Sequence, residues 1–314
     1  MSEDLFSAQD RLEHIDVEQA GFRHLSRLIF SRKKHIIGLA LVSAFILVSM
    51  LGPSVVPYDP LKFNLIEKFQ APSIRHWFGT DNFGRDVFSR VIAGTPITLV
   101  VGLSSVLITL AISIPLGLLT GLWGGRIDEV VMRINDTFLA IPSLFLALLL
   151  ISAKSSLERI LKLPTTWWFD PYPVIAIGLT MVPRTTRVIR SVAIGLRNEE
   201  FVLAARARGE SSFYIVFSEI LPNVWPTIIV EGGIRISYAI IMGATLSFLG
   251  LGATPPAPAW GLMIYEAKGF IYTSPWALLF PSLAVSFMIV SFNLFGDSLR
   301  DLLDPRARRT ALFE

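Results

Sequence analysis

The sequence predicts an all-α integral membrane protein with six transmembrane helices, and three observations lead there. The 314-residue chain is 52% hydrophobic and only 17% charged, with a mean hydropathy of +0.57, too apolar for a soluble domain of its size. Its apolar residues gather into runs of about 20, the length a helix needs to cross a hydrocarbon core roughly 30 Å thick. Its Lys and Arg residues segregate: with both termini inside, 18 of the 28 fall in inner segments and nine in outer ones, Arg235 alone lying within a span.

Residues 1–35 are read as a cytoplasmic segment, mixed in charge at first and then basic at Arg23, Arg27, Arg32, Lys33 and Lys34. The polar part is too long for a signal peptide, and no small-residue cleavage site follows. The first span is residues 36–56, stopped by Pro57. Residues 57–94 form an extracytoplasmic segment with the block Gly79-Thr80-Asp81-Asn82-Phe83-Gly84-Arg85-Asp86-Val87-Phe88-Ser89-Arg90. Val87, Val91 and Ile92 recur there at helical spacing, which predicts a helix lying in the outer interface. By chemistry alone the block is equally a solvated loop whose charges pair with one another.

The second span is residues 95–119, with Pro115 and Gly117 as kink points, and a cytoplasmic hinge over 120–133 follows. The third span, 134–152, has Asp136 near its inner end beside Arg133 and contains Pro142. Residues 153–171 return outside, with Trp167, Trp168 and Phe169 as an aromatic belt. The fourth span starts near Tyr172, but its uncharged part, 172–183, rises only about 18 Å as a helix. Arg184, Arg187 and Arg190 therefore sit on its last turns. Their spacing is that of a voltage sensor; because they run straight into Arg197, Glu199, Glu200, Arg206 and Arg208, they read better as anchors snorkelling to the inner surface.

Residues 191–224 form a polar, basic loop between two apolar runs. Leu203, Ala204, Ala205, Arg206 and Ala207 favour a short helix with a small-residue surface, and Gly209 can end it. The stretch from Phe213 to Ile220 restarts a helix that Pro222 follows. Glu231 and Arg235 stand one turn apart in the fifth span, 225–251, either as a structural ion pair or as part of a gate. A proline-rich outer turn, Gly250 to Gly261, and a sixth span, 275–295, lead to the tail, 297–314.

Some chemistry is excluded. The absence of cysteine removes disulfides, thiolate metal sites and a cysteine nucleophile. No Gly-x-x-x-x-Gly-Lys-Ser/Thr loop is present to cradle ATP, no Gly-x-Ser-x-Gly, and His14, His24, His35 and His76 are not at metal-ligand spacing. Spans one, two and six hold no ionisable residue, unlike a proton-driven carrier.

Four motifs resemble one family in the same order along the chain: dipeptide/oligopeptide/nickel-type ABC transporter permeases, specifically the shorter, six-span membrane subunit. They are the Gly-Thr-Asp-x-x-Gly-Arg-Asp-x-x-Ser-Arg block, the loop with Ala204-Ala205, Gly209 and Leu221-Pro222, the turn Leu249-Gly250-Leu251-Gly252 through Pro255-Pro256-Ala257-Pro258-Ala259-Trp260-Gly261, and the Asp304-Pro305 ending. The loop departs from the family pattern at two places: Leu203 stands where a Glu is usual, and Glu219 where an Ile is usual, with Ile220 one place late. The resemblance implies a type I ABC importer permease fold, with a five-helix permease core over 95–296. It implies a non-catalytic subunit of the bacterial or archaeal cell membrane, forming half of a translocation pathway. Its partners would be a second permease subunit, two cytoplasmic ATPase subunits or domains that bind ATP and Mg, and an extracytoplasmic solute-binding protein. The chain itself would bind no cofactor and no nucleic acid. Leu203, Ala204, Ala205, Arg206, Ala207, Gly209 and Phe213 would couple it to an ATPase. Peptides are the expected cargo, with nickel chelates or oligosaccharides as alternatives, and an ion-coupled carrier or a channel as the rival class.

Overall fold

The computed structural model describes residues 33–166 and 168–303. The basic cluster at Arg23, Arg27 and Arg32, the belt residue Trp167 and the Asp304-Pro305 ending lie outside the described residues. Ten helices organise the rest: α1 (Lys33–Val55), α2 (Val87–Trp123), α3 (Gly125–Ala140), α4 (Ser143–Ser152), α5 (Lys154–Leu161), α6 (Pro171–Leu196), α7 (Glu200–Ala207), α8 (Ser212–Phe248), α9 (Trp260–Ala267) and α10 (Pro275–Leu303). No strand occurs among the described residues, only an isolated bridge between Thr80 and Asp86.

Four of these, α1, α2, α8 and α10, are long and apolar enough to cross a membrane, and α3 with α4 makes a fifth crossing if the two are one broken span. The break is a 95° bend at Ile141-Pro142, because the residue before a proline is pushed out of the helical region: Ile141 has φ −89° and ψ 127°. The predicted third span is thus two helices at an angle. α6 has the length, at 26 residues, but its three arginines keep it below the apolarity of the others.

The contacts between the long helices fix their relative directions. α2 and α6 run parallel, and their seam is a ladder of hydroxyls: Ser105, Thr109 and Ser113 donate to the carbonyls of Val174, Gly178 and Val182 at 3.2, 2.9 and 3.2 Å. Each such interhelical bond in lipid contributes about 0.6 kcal/mol, so close packing matters as much. Gly178 makes the closeness necessary, since a Cβ there would lie 2.8 Å from the Ser105 carbonyl. α8 runs antiparallel to α2, Gly102 lying against Ile240 and Gly232 against Leu110. α1 and α10 are antiparallel too, with His35 Nε2 3.3 Å from Asp301 Oδ2.

The end of the bundle where α2 begins is closed by the segment before α2 and by α9, and here one expectation is corrected. There is no separate interfacial helix before residue 95: Val87 to Gly94 are the first turns of α2. Asp86 caps that helix, its Oδ2 accepting from the Ser89 amide at 2.8 Å. Nor is the charged block a solvated loop. Arg85 and Arg90 are fully buried. Arg85 donates to Asp81 and to Glu266 of α9, both at 2.6 Å, and Arg90 reaches Glu266 at 3.3 Å. Two guanidiniums thereby meet two carboxylates, which is what makes their burial tolerable. Trp260 and Trp276 fasten the cap by donating to the carbonyls of Val91 and Thr80, at 2.8 and 3.0 Å.

Candidate functional site

At the opposite end of the bundle, α6 runs out into the polar loop. Arg187 pairs with Asp136, and Arg190 grips both oxygens of Asp128, so α6 is tied to α3 by two charge pairs. Asp136 therefore pairs across helices with Arg187, and not with Arg133, which faces Glu129 at 3.8 Å. Arg187 and Arg190 thus have fixed partners on α3.

α7 begins after Glu199 and stops in a complete glycine-terminated cap. Gly209 takes φ +82°, its amide donates to the Arg206 carbonyl at 3.0 Å, and the Glu210 amide donates to Ala205 at 3.2 Å. Both bonds satisfy carbonyls that the helix end would otherwise orphan, and the conformation favours glycine. Ser211 then caps the next helix, accepting from the Tyr214 amide at 3.2 Å. A bend of this construction places α7 beside the start of α8.

The predicted coupling residues divide between two faces. Ala205 is fully buried with Val202 against Ile215, Val216 and Ile220, in a cluster that also includes Leu118 and Leu122 of α2 and Ile189 and Ala193 of α6. Ala205 thus belongs to the chain's own packing, and of the small residues on this helix Ala204 and Ala207 are the exposed ones; residues three apart on a helix share a face, and Val202 takes Ala205 inward with it. Leu203, Ala204, Arg206, Ala207, Gly209 and Phe213 are exposed. Leu203 is 49% and Phe213 63% exposed, and Phe213 stacks on Phe217 with ring centroids 5.8 Å apart. Tyr214 and Phe217, exposed as well, were not singled out from the sequence, although Phe213 and Phe217 share one face at i and i+4.

The helix after Gly209 does not stop at Pro222. That helix is α8: a wide-turn segment, Ile215–Ile220, lets it run on through Pro222 and Pro226, and the Asn223 side chain donates to the Glu219 carbonyl at 2.7 Å. Loosened turns of this kind accommodate a residue with no amide hydrogen. Deeper in α8, Glu231 and Arg235 do pair, at 2.7 and 3.0 Å. Among the described residues no group of three or more His, Asp or Glu is placed to hold a metal ion.

Span-length helices, an end closed by buried charge pairs and, at the other end, an exposed apolar patch beside a capped helix define a helical protein built to lie in a membrane. The family is settled by comparison: residues 113–309 match the model for the binding-protein-dependent transport system inner membrane component, and the chain belongs to that family. It is similar to the dipeptide transport system permease protein DppC of Alkalihalophilus pseudofirmus, 37% identical over 96% of this chain and 93% of that one. It is also similar to the probable D,D-dipeptide transport system permease protein DdpC of Escherichia coli, 38% identical over 86% and 88%, and to the oligopeptide transport system permease protein OppC of Bacillus subtilis, 34% identical over 89% and 88%. Among solved structures, the inward-facing MetNI methionine ABC transporter shares the fold, with a TM-score of 0.54 and 17% identity over 68% of this chain and 96% of that one. The chain is a non-catalytic, integral inner-membrane permease subunit of an ABC importer with the type I permease fold.

Proposed function

We propose that this chain forms half of the pathway of an ATP-driven importer of peptides, paired with a second permease subunit and fed from outside by a solute-binding protein. Two cytoplasmic ATPase subunits bind ATP and Mg, and α7 docks on one of them. The relatives named for dipeptides, D,D-dipeptides and oligopeptides support the cargo. Both termini and the α7 loop lie on the cytoplasmic side, an orientation supported by the excess of Lys and Arg at that end.

The observation that carries the reading is the exposed group Leu203, Phe213, Tyr214 and Phe217 around the Gly209 cap. Apolar side chains clustered at a polar helical surface mark a protein contact. The inner face of α7 turns such a contact into motion: Val202 and Ala205 press on the cluster that holds the ends of α2 and α6. Closure of the ATPase pair would push α7, and the push would reach α2 and α6 through the packed side chains of that cluster.

Leu203→Asp with Phe213→Asp tests the docking. Both side chains face solvent in this chain, so the double variant inserts into the membrane at wild-type level. The expected result is that the ATPase subunits no longer copurify in mild detergent and that uptake is lost. Copurification and uptake at wild-type level would remove α7 from the contact.

A further inference from the structure

A cavity of about 290 Å³ opens at the bend between α3 and α4, lined by Ile141, Pro142 and Ser143, by Thr180 and Arg184 of α6, and by Arg235 and Tyr238 of α8. Its charge is unbalanced. Along α6, Arg190 takes Asp128 and Arg187 takes Asp136, both on α3. Arg184 is the next arginine up the helix, but one turn beyond Asp136 stands Ala140, where α3 ends. Arg184 consequently has neither a hydrogen bond nor an ion pair among the described residues, whereas Arg235 is neutralised by Glu231 at 2.7 Å. The cavity keeps one net positive charge about midway along a 26-residue helix.

Arg184 is exposed in this chain, and in a helix packed among membrane spans such an arginine is costly unless something answers it. Hydroxyl donors stand nearby: Ser143 Oγ and Tyr238 Oη are 3.0 Å apart, and since one hydrogen serves that bond, the other is left for a guest. A planar guanidinium beside hydroxyl donors suits a carboxylate, and the volume suits a solute of dipeptide size.

We propose that this cavity is a subsite for the carboxylate of a small solute in transit, with Arg184 as its binding cation. The assignment of the carboxylate to a peptide C-terminus rests on the proposed peptide import; the anion site itself does not.

The chain has no cysteine, so a single thiol can be placed in the cavity as Leu139→Cys, at an apolar lining residue. In proteoliposomes of the full transporter, rates of modification by an anionic sulfonatoethyl and a cationic trimethylammonium-ethyl methanethiosulfonate are read as mass added to this chain. The expected result is a preference for the anion, with the anion-to-cation ratio falling roughly tenfold in Arg184→Gln and largely kept in Arg184→Lys. Dialanine should slow the reaction and dialanine amide should not. A ratio indifferent to Arg184→Gln, equal protection by the amide, or a thiol inert to both reagents overturns the site. If ATP-driven dialanine uptake runs in the same vesicles while the preference is absent, the import reading stands and the subsite falls. If no dipeptide is taken up yet the Arg184-dependent preference persists, the peptide reading falls and the site stands as one for another anion.

Discussion

Gly209 offers a way to separate a residue's conformational role from its place in a contact. Its φ of +82° costs an ordinary L residue about 1 kcal/mol, so Gly209→Ala should weaken the α7 cap by about that much. A Cβ at this position meets nothing within 4 Å, so a larger side chain enters open space in this chain. Gly209→Trp therefore carries nearly the same backbone penalty as Gly209→Ala, and the two variants should unfold in detergent at similar temperatures. They differ in bulk, and bulk matters only if another surface lies against Gly209. The assay is ATP-driven uptake beside ATP hydrolysis in reconstituted complexes. Gly209→Ala should retain most coupled uptake, while Gly209→Trp should hydrolyse ATP without matching transport or lose its ATPases. If the two variants transport alike, the glycine serves only the bend and the docking argument loses its centre. Ala205→Glu tests something else, since it would place a carboxylate in the fully buried cluster beneath α7 at a cost of several kcal/mol.

Two further predictions concern the scaffold. Gly178→Ala places a methyl group 2.8 Å from the Ser105 carbonyl and should destabilise the α2–α6 seam by about 1–3 kcal/mol, read as a lowered unfolding temperature in detergent; an unchanged temperature would mean the seam yields freely. Glu266→Gln leaves Arg85 and Arg90 buried with Asp81 as their remaining carboxylate partner and should destabilise the outer cap by about 3–5 kcal/mol, visible as faster proteolysis between residues 57 and 86; wild-type resistance would count against the buried cluster.

The four long apolar helices were legible in the sequence because a run of about 20 apolar residues has few alternatives in water or lipid. The turn at Gly209 was legible for a similar reason, since a glycine after a helix-favouring stretch is a common way to end it. What the sequence withheld were partnerships across distance. Arg85 and Arg90 look like surface charge until Glu266, far along the chain, is folded against them. The same gap placed Asp136 beside Arg133, its neighbour in sequence, when its partner is Arg187 on another helix. At the candidate contact the facing of the residues was missed: the i, i+3 pair Val202 and Ala205 held the signal that Ala205 points inward. Pro222 misled as a stop, because the looser turns preceding it cannot be read from residue types.

The undivided length of α2 has a mechanical consequence. At 37 residues it is about 55 Å long, it is gripped near its C-terminal end by the cluster beneath α7, and it is bolted near its N-terminal end to the buried arginine cap. A rod held at both ends works as a lever. If α2 moves as one piece, a tilt of about 5° about one end would swing the other by roughly 5 Å, so a push on the cluster beneath α7 would reach the buried arginine cap.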